Sequence, residues 1–348
     1  MVFSIAAGEK IFQIDKKNSV QHMIITINTY LNRDDNFGDF IRRTYGEKVI
    51  HYAFFKAPKR KFQSKRVILS NLLVAFFKAL RYPLRNRKCY CEGCHVSMML
   101  IYRLFGAFYE SSHLYVYNFY LHGLSKSSGV KVLLKYLLNT NRITIIVQTP
   151  LELQYYQQLS VKARLFFVPY CSNFMPQGGK GLIDGKYYFC GGYTNRDYAL
   201  VNQLAERHPE IKFVIIASSL NRITNIAKNI ILMKDVSNKD FETTLSNSQG
   251  VIIPLLENVG ASGQMLAISA MRNKKPIVYT DISSINYYFD GDSGYPYKIG
   301  DIESLDNAFT TMISNPVEAS KKGEQAFKKS MEFTTEKANM LKSQIMGF

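Results

Sequence analysis

Residues 251–281, VIIPLLENVGASGQMLAISAMRNKKPIVYTD, carry the residue types best suited to chemistry in this chain. The apolar run Val251 to Pro254 reads as a strand. Gly260, Ala261, Ser262 and Gly263 read as a loop, and Met265, Leu266, Ile268 and Met271 mark one face of a helix. The basic turn Asn273-Lys274-Lys275-Pro276 ends that helix, and Ile277 to Tyr279 reads as a second buried strand. A small-residue loop that opens a helix leaves backbone N–H groups free at the positive end of the helix dipole, which suits a phosphate or diphosphate. The plain alternative is a βαβ crossover whose small residues only allow tight packing. Ser262, Gly263 and Gln264 are the candidates for anion contacts, joined by Gly192 and Arg196 in the turn Gly191-Gly192-Tyr-Thr-Asn-Arg196. Lys274 and Lys275 fall at the other end of the helix, where they complement its dipole instead.

Other groups offer acid–base or metal chemistry. His122 follows the apolar run Tyr115 to Leu121 and precedes Gly123. At a strand end it could act as a base or orient a hydroxyl, and His95 has similar placement; a satisfied structural histidine is the alternative for each. Asp290-Gly291-Asp292 has the form of a pair that holds a divalent metal, but its glycine setting reads as a turn. Cys91-Glu-Gly-Cys94-His95 matches the haem-attachment pattern without its context, and Cys89, Cys91, Cys94 and His95 are too tightly spaced for an ordinary zinc site. Buried, reduced thiols at a strand-to-helix turn are the expectation.

The elements that must position these groups alternate along the chain. Strands are expected at His22–Asn28, Val49–Phe55, Lys88–Cys91, His113–Tyr117, Ile143–Gln148 and Leu165–Val168. Helices are expected between them at Asp39–Tyr45, Val67–Arg81, Val96–Phe105, Lys131–Leu138 and Leu151–Leu159. Residues 171–183, rich in Pro and Gly, read as a linker. A second alternating series then begins at Tyr187, and the tail from Val317 to Met346 reads as one long amphipathic helix broken near Gly323. Alternation implies parallel sheets, and 348 residues exceed a single core. The fold class is therefore α/β, with two Rossmann-like doubly wound domains facing a cleft. The expected division is a first domain over 1–170, the linker, a second domain over 184–316 and a C-terminal helix over 317–348 that packs back on the first.

Charge separates the halves. Residues 1–170 carry 25 Lys and Arg against 9 Asp and Glu, whereas the remainder carries 19 against 18. Residues 56–88 hold eleven basic residues and no acid, interleaved with Phe62, Leu69, Phe76 and Phe77. Basic and apolar residues mixed in this way suit an anionic membrane surface. The residues named for that patch are Lys59, Arg60, Lys61, Lys65 and Arg66, with Arg85 and Arg87. A nucleic-acid groove and a solvated basic face are the competing readings. No segment is long and apolar enough to span a bilayer, and the N-terminus lacks the features of a signal peptide. A cytoplasmic protein, peripheral at the inner face of the membrane, is the expectation.

The second half resembles the nucleotide-binding domain of GT-B glycosyltransferases, specifically the family 4-like enzymes. Phe189-Cys-Gly191-Gly192 and Asn195-Arg196-Asp197 look like the opening strand and turn of that domain. Ala261-Ser262-Gly263-Gln264 through Lys275-Pro276-Ile277-Val278 resembles its signature helix, and Gly294 and Gly300-Asp301 its closing turns. The likeness is good over about 187–315. It is fainter over 113–170, where Tyr120-Leu121-His122-Gly123 and Val147-Gln148-Thr149-Pro150 fit the acceptor domain. The resemblance implies transfer of a sugar from a nucleotide diphosphate donor, with retained configuration and no metal or other cofactor. It places His122 as the cleft histidine and Arg196 near the phosphate-binding cation. The chain departs from the family at Glu-x7-Glu, where Ala261 and Ser269 stand in place of the two acids. Ser269 lacks the charge for a bidentate ribose contact, so Ser269 and Glu257 are named as the remaining ribose or donor-sugar contacts.

The expected function is transfer to a glycan or lipid-linked acceptor in surface polysaccharide synthesis, with an anionic membrane surface as a partner and no nucleic acid. The loss of both acids favours a rival, a non-catalytic GT-B-like scaffold that supports an active transferase.

Overall fold

A computed structural model describes residues 23–30, 36–55, 73–92, 95–109, 111–119, 128–176, 179–257 and 260–348. The chain divides into two compact units. The first comprises Met1–Pro169 and Asn339–Phe348, and the second Tyr170–Ala338.

The first unit is built on six parallel strands: β1 (Ile24–Tyr30), β2 (Val49–Phe55), β3 (Lys88–Glu92), β4 (His113–Tyr117), β5 (Ile143–Val147) and β6 (Arg164–Phe167). Their order in the sheet is β2-β1-β3-β4-β5-β6. Helices α1 (Asn36–Tyr45), α2 (His95–Phe105), α3 (Ser128–Leu138) and α4 (Pro150–Gln158) cover it. Thr149 caps α4 with Glu152 in a reciprocal capping box, and Pro150 begins the helix where its missing N–H costs nothing. Every residue of β5 is buried, as a parallel strand covered on both faces requires. The part of Val67–Arg81 that lies within the described residues is helical over 73–79.

Alternate strand residues face opposite layers. Ile25, Ile27, Cys89, Cys91, Leu114 and Val116 belong to one core cluster. Tyr90 and Tyr117 face the other way, and there the returning C-terminal segment covers them. Lys342 is buried with its ammonium over the rings of Phe37 (4.7 Å), Tyr90 (5.5 Å) and Tyr117 (4.5 Å). The desolvated charge is met by aromatic faces and by the Tyr90 hydroxyl at 3.4 Å. Arg164 donates to the Ile345 carbonyl, and Lys88 to that of Gly347.

His113 opens β4 with its Nε2 2.7 Å from the Thr144 hydroxyl. Burial, and then Arg164, Arg142 and Lys88, pull its pKa from 6.5 down to about 4. A depressed histidine is neutral in the folded protein and charges more readily once unfolded. Its contribution is therefore complete above pH 6.5 and disappears as pH falls through about 4. The loss reaches about 3 kcal/mol at most. Denaturant unfolding of wild type and His113→Gln across that window should show a steeper acid loss in the wild type; parallel curves would contradict this account.

The second unit has strands β7 (Tyr188–Gly191), β8 (Phe213–Ala217), β9 (Ile230–Lys234), β10 (Gly250–Ile253), β11 (Ile277–Thr280) and β12 (Tyr295–Tyr297). They are ordered β12-β11-β10-β7-β8-β9, again all parallel. The helices are α5 (Tyr198–Arg207), α6 (Asn238–Ser246), α7 (Gln264–Arg272), α8 (Ser283–Asn286), α9 (Ile302–Ser314) and α10 (Pro316–Ser330), while α11 (Thr335–Ile345) begins here and ends in the first unit. Phe189, Val251, Ile253, Ile277 and Tyr279 enter one core cluster, while Cys190, Ile252 and Val278 enter the other. Two parallel sheets, each flanked by helices, agree with the α/β class expected. Tyr170, just before the segment read as a linker, and Phe174, inside it, are bonded within this unit: their carbonyls accept from Tyr288 and Arg272.

The tail departs from the expected single helix. It breaks at 331–334 rather than near Gly323, and α11 leads the chain from the second unit back to the first. Gly323 lies in the middle of α10, where a Cβ would come 2.3 Å from the Lys274 carbonyl oxygen. This glycine allows two backbones to approach closely and does not end a helix.

Candidate functional site

The chain leaves β7, builds β8 and β9 on one side, and then returns to place β10 on the other. The carboxyl ends of β7 and β10 therefore form the switch point of the sheet, where open α/β sheets bind their ligands. Gly191-Gly192 leads out of one strand and residues 254–263 out of the other. Backbone bonds join the two loops. Asp197 N–H donates to the Pro254 carbonyl, and Arg196 bridges Leu255. The Asn195 side chain accepts from Glu257 N–H at 3.0 Å and donates to the Glu257 carbonyl at 2.9 Å. Thr280 accepts from Leu255 N–H at 2.7 Å and donates to the Ile253 carbonyl, which fixes the second loop to the sheet.

Arg196 sits at this junction, half-buried. Its Nε donates to the Gly191 carbonyl at 2.9 Å and its Nη1 to the Thr194 carbonyl at 2.8 Å, with the Ser262 hydroxyl 3.5 Å away. Pairing with Asp197 is not what holds it. Asp197 instead caps α5, accepting from Leu200 N–H. Among the described residues no carboxylate forms an ion pair with Arg196. Burial works against its charge and lowers its pKa, a shift that Tyr198, Cys190 and Tyr297 oppose. A desolvated cation whose partners are carbonyl groups and a hydroxyl favours an incoming anion. Gly192, at φ +134°, makes room for the guanidinium, since a Cβ there would lie 2.5 Å from it.

Ser262 and Gln264 are both buried at the opening of α7. Gly263 is the N-cap at φ +82° and, among the described residues, no side chain makes a capping bond there. The positive end of the helix dipole at this point suits an anion. A Cβ on Gly263 would lie 3.1–3.3 Å from Ile285, Leu255 and Ile253. Gly263→Asp would therefore strain the backbone and press on the core while adding charge. Arg196 is the cleaner position at which to test anion binding.

Ser269 is buried in α7 and donates from Oγ to Glu242 Oε2 at 2.7 Å. Glu242 comes from α6, whose neighbouring Phe241 packs on Phe189 and would meet a Cβ at Gly191. A carboxylate thus reaches the Ser269 position from another helix. Burial raises the Glu242 pKa, and the bond from Ser269 opposes that shift. Sequence reasoning missed Glu242 because nothing in Lys-Asp-Phe-Glu-Thr marks it; only the packing of α6 on α7 brings the pair together. Glu257 is exposed, and its main chain is occupied by Asn195.

Asp290 accepts from Lys329 at 3.1 Å and from Asp292 N–H, in a turn closed by Ser293. Among the described residues no group of three or more His, Cys, Asp or Glu could hold a metal ion. His122 lies outside the described residues, as do Lys59, Arg60, Lys61, Lys65 and Arg66. Arg85 is exposed, and Arg87 is half-buried.

No protein-family model matches the sequence, and no curated protein matches it. Solved structures do match. Sucrose-phosphate synthase from Thermosynechococcus elongatus aligns with a TM-score of 0.69 at 12% identity, over 93% of this chain and 98% of its own. HepE from Anabaena, solved with UDP and glucose, aligns at 0.67 and 12% identity, over 93% and 99%. A glycosyltransferase from Rickettsia africae aligns at 0.65 and 10%, over 94% and 98%. At these identities the likeness concerns the fold alone, and that fold is GT-B, with two Rossmann-like units.

Proposed function

We propose that this protein is a glycosyltransferase that moves a sugar from a nucleotide diphosphate donor held in the second unit to a glycan or lipid-linked acceptor. The observation that carries the reading is Arg196, a half-buried guanidinium with no carboxylate partner among the described residues, at the switch point beside the start of α7. In such a transfer the bond from the anomeric carbon to the donor phosphate breaks, the acceptor oxygen takes its place, and negative charge grows on the departing diphosphate. Arg196, Ser262 and the positive end of the α7 dipole at Gly263 and Gln264 are placed to stabilise that charge. Gly192 leaves the guanidinium the space it occupies. Neither a metal nor a cofactor enters the proposal, and EDTA should leave turnover unchanged. His122 remains the proposed base or hydroxyl-orienting residue.

Glu242 counts against the rival reading of a non-catalytic scaffold. With Ser269 it forms a carboxylate–hydroxyl pair suited to a ribose hydroxyl, in place of the acid that the family-like helix lacks. Glu242→Gln should weaken donor binding about ten-fold, the scale of a lost bond to a charged group. Stability should not fall with it. An acid whose pKa is raised on folding contributes most below its unfolded value and loses that contribution as pH rises through its folded value. Removing the charge at neutral pH is therefore neutral or stabilising. Reduced affinity with an unchanged or higher melting temperature supports the pair; reduced melting with full affinity would make Glu242 structural.

The acceptor rests on the charge of the first unit. A lipid-linked glycan of surface polysaccharide would bring the enzyme to an anionic membrane at its inner face, as the basic excess in residues 1–170 suggests. A thermal-shift screen of nucleoside diphosphates and their sugars, followed by detection of released diphosphate, tests the function. Stabilisation by a nucleotide sugar with slow release supports transfer; binding without release under any acceptor supports the scaffold.

A further inference from the structure

The first unit exposes an apolar face that its own fold does not need. In the helix over 73–79, Ala75 and Ala79 face the core, while Phe77 is 63% exposed and Leu73 and Val74 lie beside it. Phe76 of this helix packs against Phe105 at the end of α2, with ring centroids 6.5 Å apart. From there Leu104 and Phe108 turn outward, Phe108 at 75% exposure. Arg103 of α2 bonds the Tyr136 carbonyl of α3 and lies over the Tyr136 ring at 4.8 Å. Helix α3 completes the face: Leu134, Leu137 and Leu138 are buried, whereas Val132 (68% exposed), Leu133 and Tyr136 are not. A helix that is apolar on its outer side as well as its inner one has a second surface to cover.

The charges among these side chains are of one sign. Lys78 and Arg81 stand within the first stripe, and Lys131 and Lys135 within the last. Neither 73–85, α2 nor α3 contains an acid. Lysine is depleted in protein–protein interfaces, where apolar cores are ringed by polar groups of both signs. Lysine interleaved with exposed aliphatic and aromatic side chains suits a lipid surface. There the apolar parts enter the acyl boundary, and the ammonium groups reach the headgroups. No helix among the described residues is long and apolar enough to cross a membrane.

We propose that this face, formed by residues 73–81, the end of α2 and the outer side of α3, docks the protein on an anionic lipid bilayer. It deepens the membrane part of the reading above, on which it rests, and is independent of the donor site. It also moves the contact onto side chains that the basic run alone does not identify, those of α3 above all.

The test is cosedimentation of the full chain with vesicles of phosphatidylcholine alone and of phosphatidylcholine with phosphatidylglycerol. Two variants are compared with the wild type: Phe77→Ser/Phe108→Ser/Val132→Ser, and Lys78→Gln/Lys131→Gln/Lys135→Gln. All six side chains are exposed, so melting temperature and thermal response to nucleoside diphosphate should match the wild type and serve as controls. The wild type should pellet with the anionic vesicles only, and less in high salt. The lysine variant should bind roughly a hundred-fold more weakly, at about five-fold per basic residue. The apolar variant should lose at least about ten-fold, for three side chains kept from the acyl boundary. If the wild type pellets and both variants pellet equally well, the membrane reading survives and this face is wrong. If the wild type pellets with neither vesicle, both fall. Self-association of the wild type that the apolar variant loses would also overturn the proposal, by making the face a contact between copies.

Discussion

Arg196→Met is expected to lower nucleoside diphosphate affinity about a hundred-fold, the usual scale for removing one partner of a desolvated charge pair. The arginine is placed by its own fold before any ligand arrives, since the Gly191 and Thr194 carbonyls hold the guanidinium at 2.9 and 2.8 Å. That placement is preorganisation, and little ordering cost remains when the phosphate binds. Methionine keeps much of the apolar stem and removes the charge. Stability should change by only about 1 kcal/mol, because two hydrogen bonds at a half-buried site are lost while a desolvated charge is relieved. Arg196→Lys separates charge from geometry. It restores a cation but cannot reach both carbonyls, so its affinity should fall between the two. The midpoint of ligand-dependent thermal stabilisation reads all three proteins. Full affinity in the methionine variant would show that the diphosphate, if bound, lies elsewhere.

Gly323→Leu is expected to be the most damaging single change in the second unit. A Cβ at this position meets the Lys274 carbonyl oxygen at 2.3 Å and the Lys274 carbonyl carbon at 3.0 Å, both backbone atoms that cannot turn aside. Lys274 itself is held at φ +55° in the turn between α7 and β11, so the obstacle is fixed by α7, the helix whose start forms the site. Either α10 moves off α7 or the turn is rebuilt. The cost should be about 4 kcal/mol or more, beyond the usual range for overpacking. For a unit of this size that lowers the melting temperature by roughly 10 °C. Gly323→Ala should lose less, and an alanine variant as stable as wild type would show that the approach is looser than described.

How far the sequence could be read depended on the range of the forces involved. Strand and helix positions follow from apolar periodicity, and β2, β4 and most helix cores fall where that periodicity puts them. The loop between β10 and α7 was legible as a loop because glycine and serine between a strand and a helix form a local signal. Gly323 was misread for the opposite reason: a glycine that ends a helix and one that admits a neighbouring backbone look alike until the neighbour is known. Glu242 and Lys342 were not legible at all. The first matters because α6 packs on α7, and the second because the chain end returns to the first unit, where three rings surround its ammonium. The surroundings of Arg196 were not legible either: the carboxylate next to it in sequence, Asp197, is claimed by N-capping of α5.

Calorimetric titration of a nucleoside diphosphate and of its sugar conjugate into the wild-type protein and Arg196→Met is the most direct test of the donor site. The account predicts saturable binding of both ligands by the wild type, at one site per chain, and loss of both in the variant. Absence of binding to every nucleoside diphosphate tried, or equal heats from the two proteins, would contradict it.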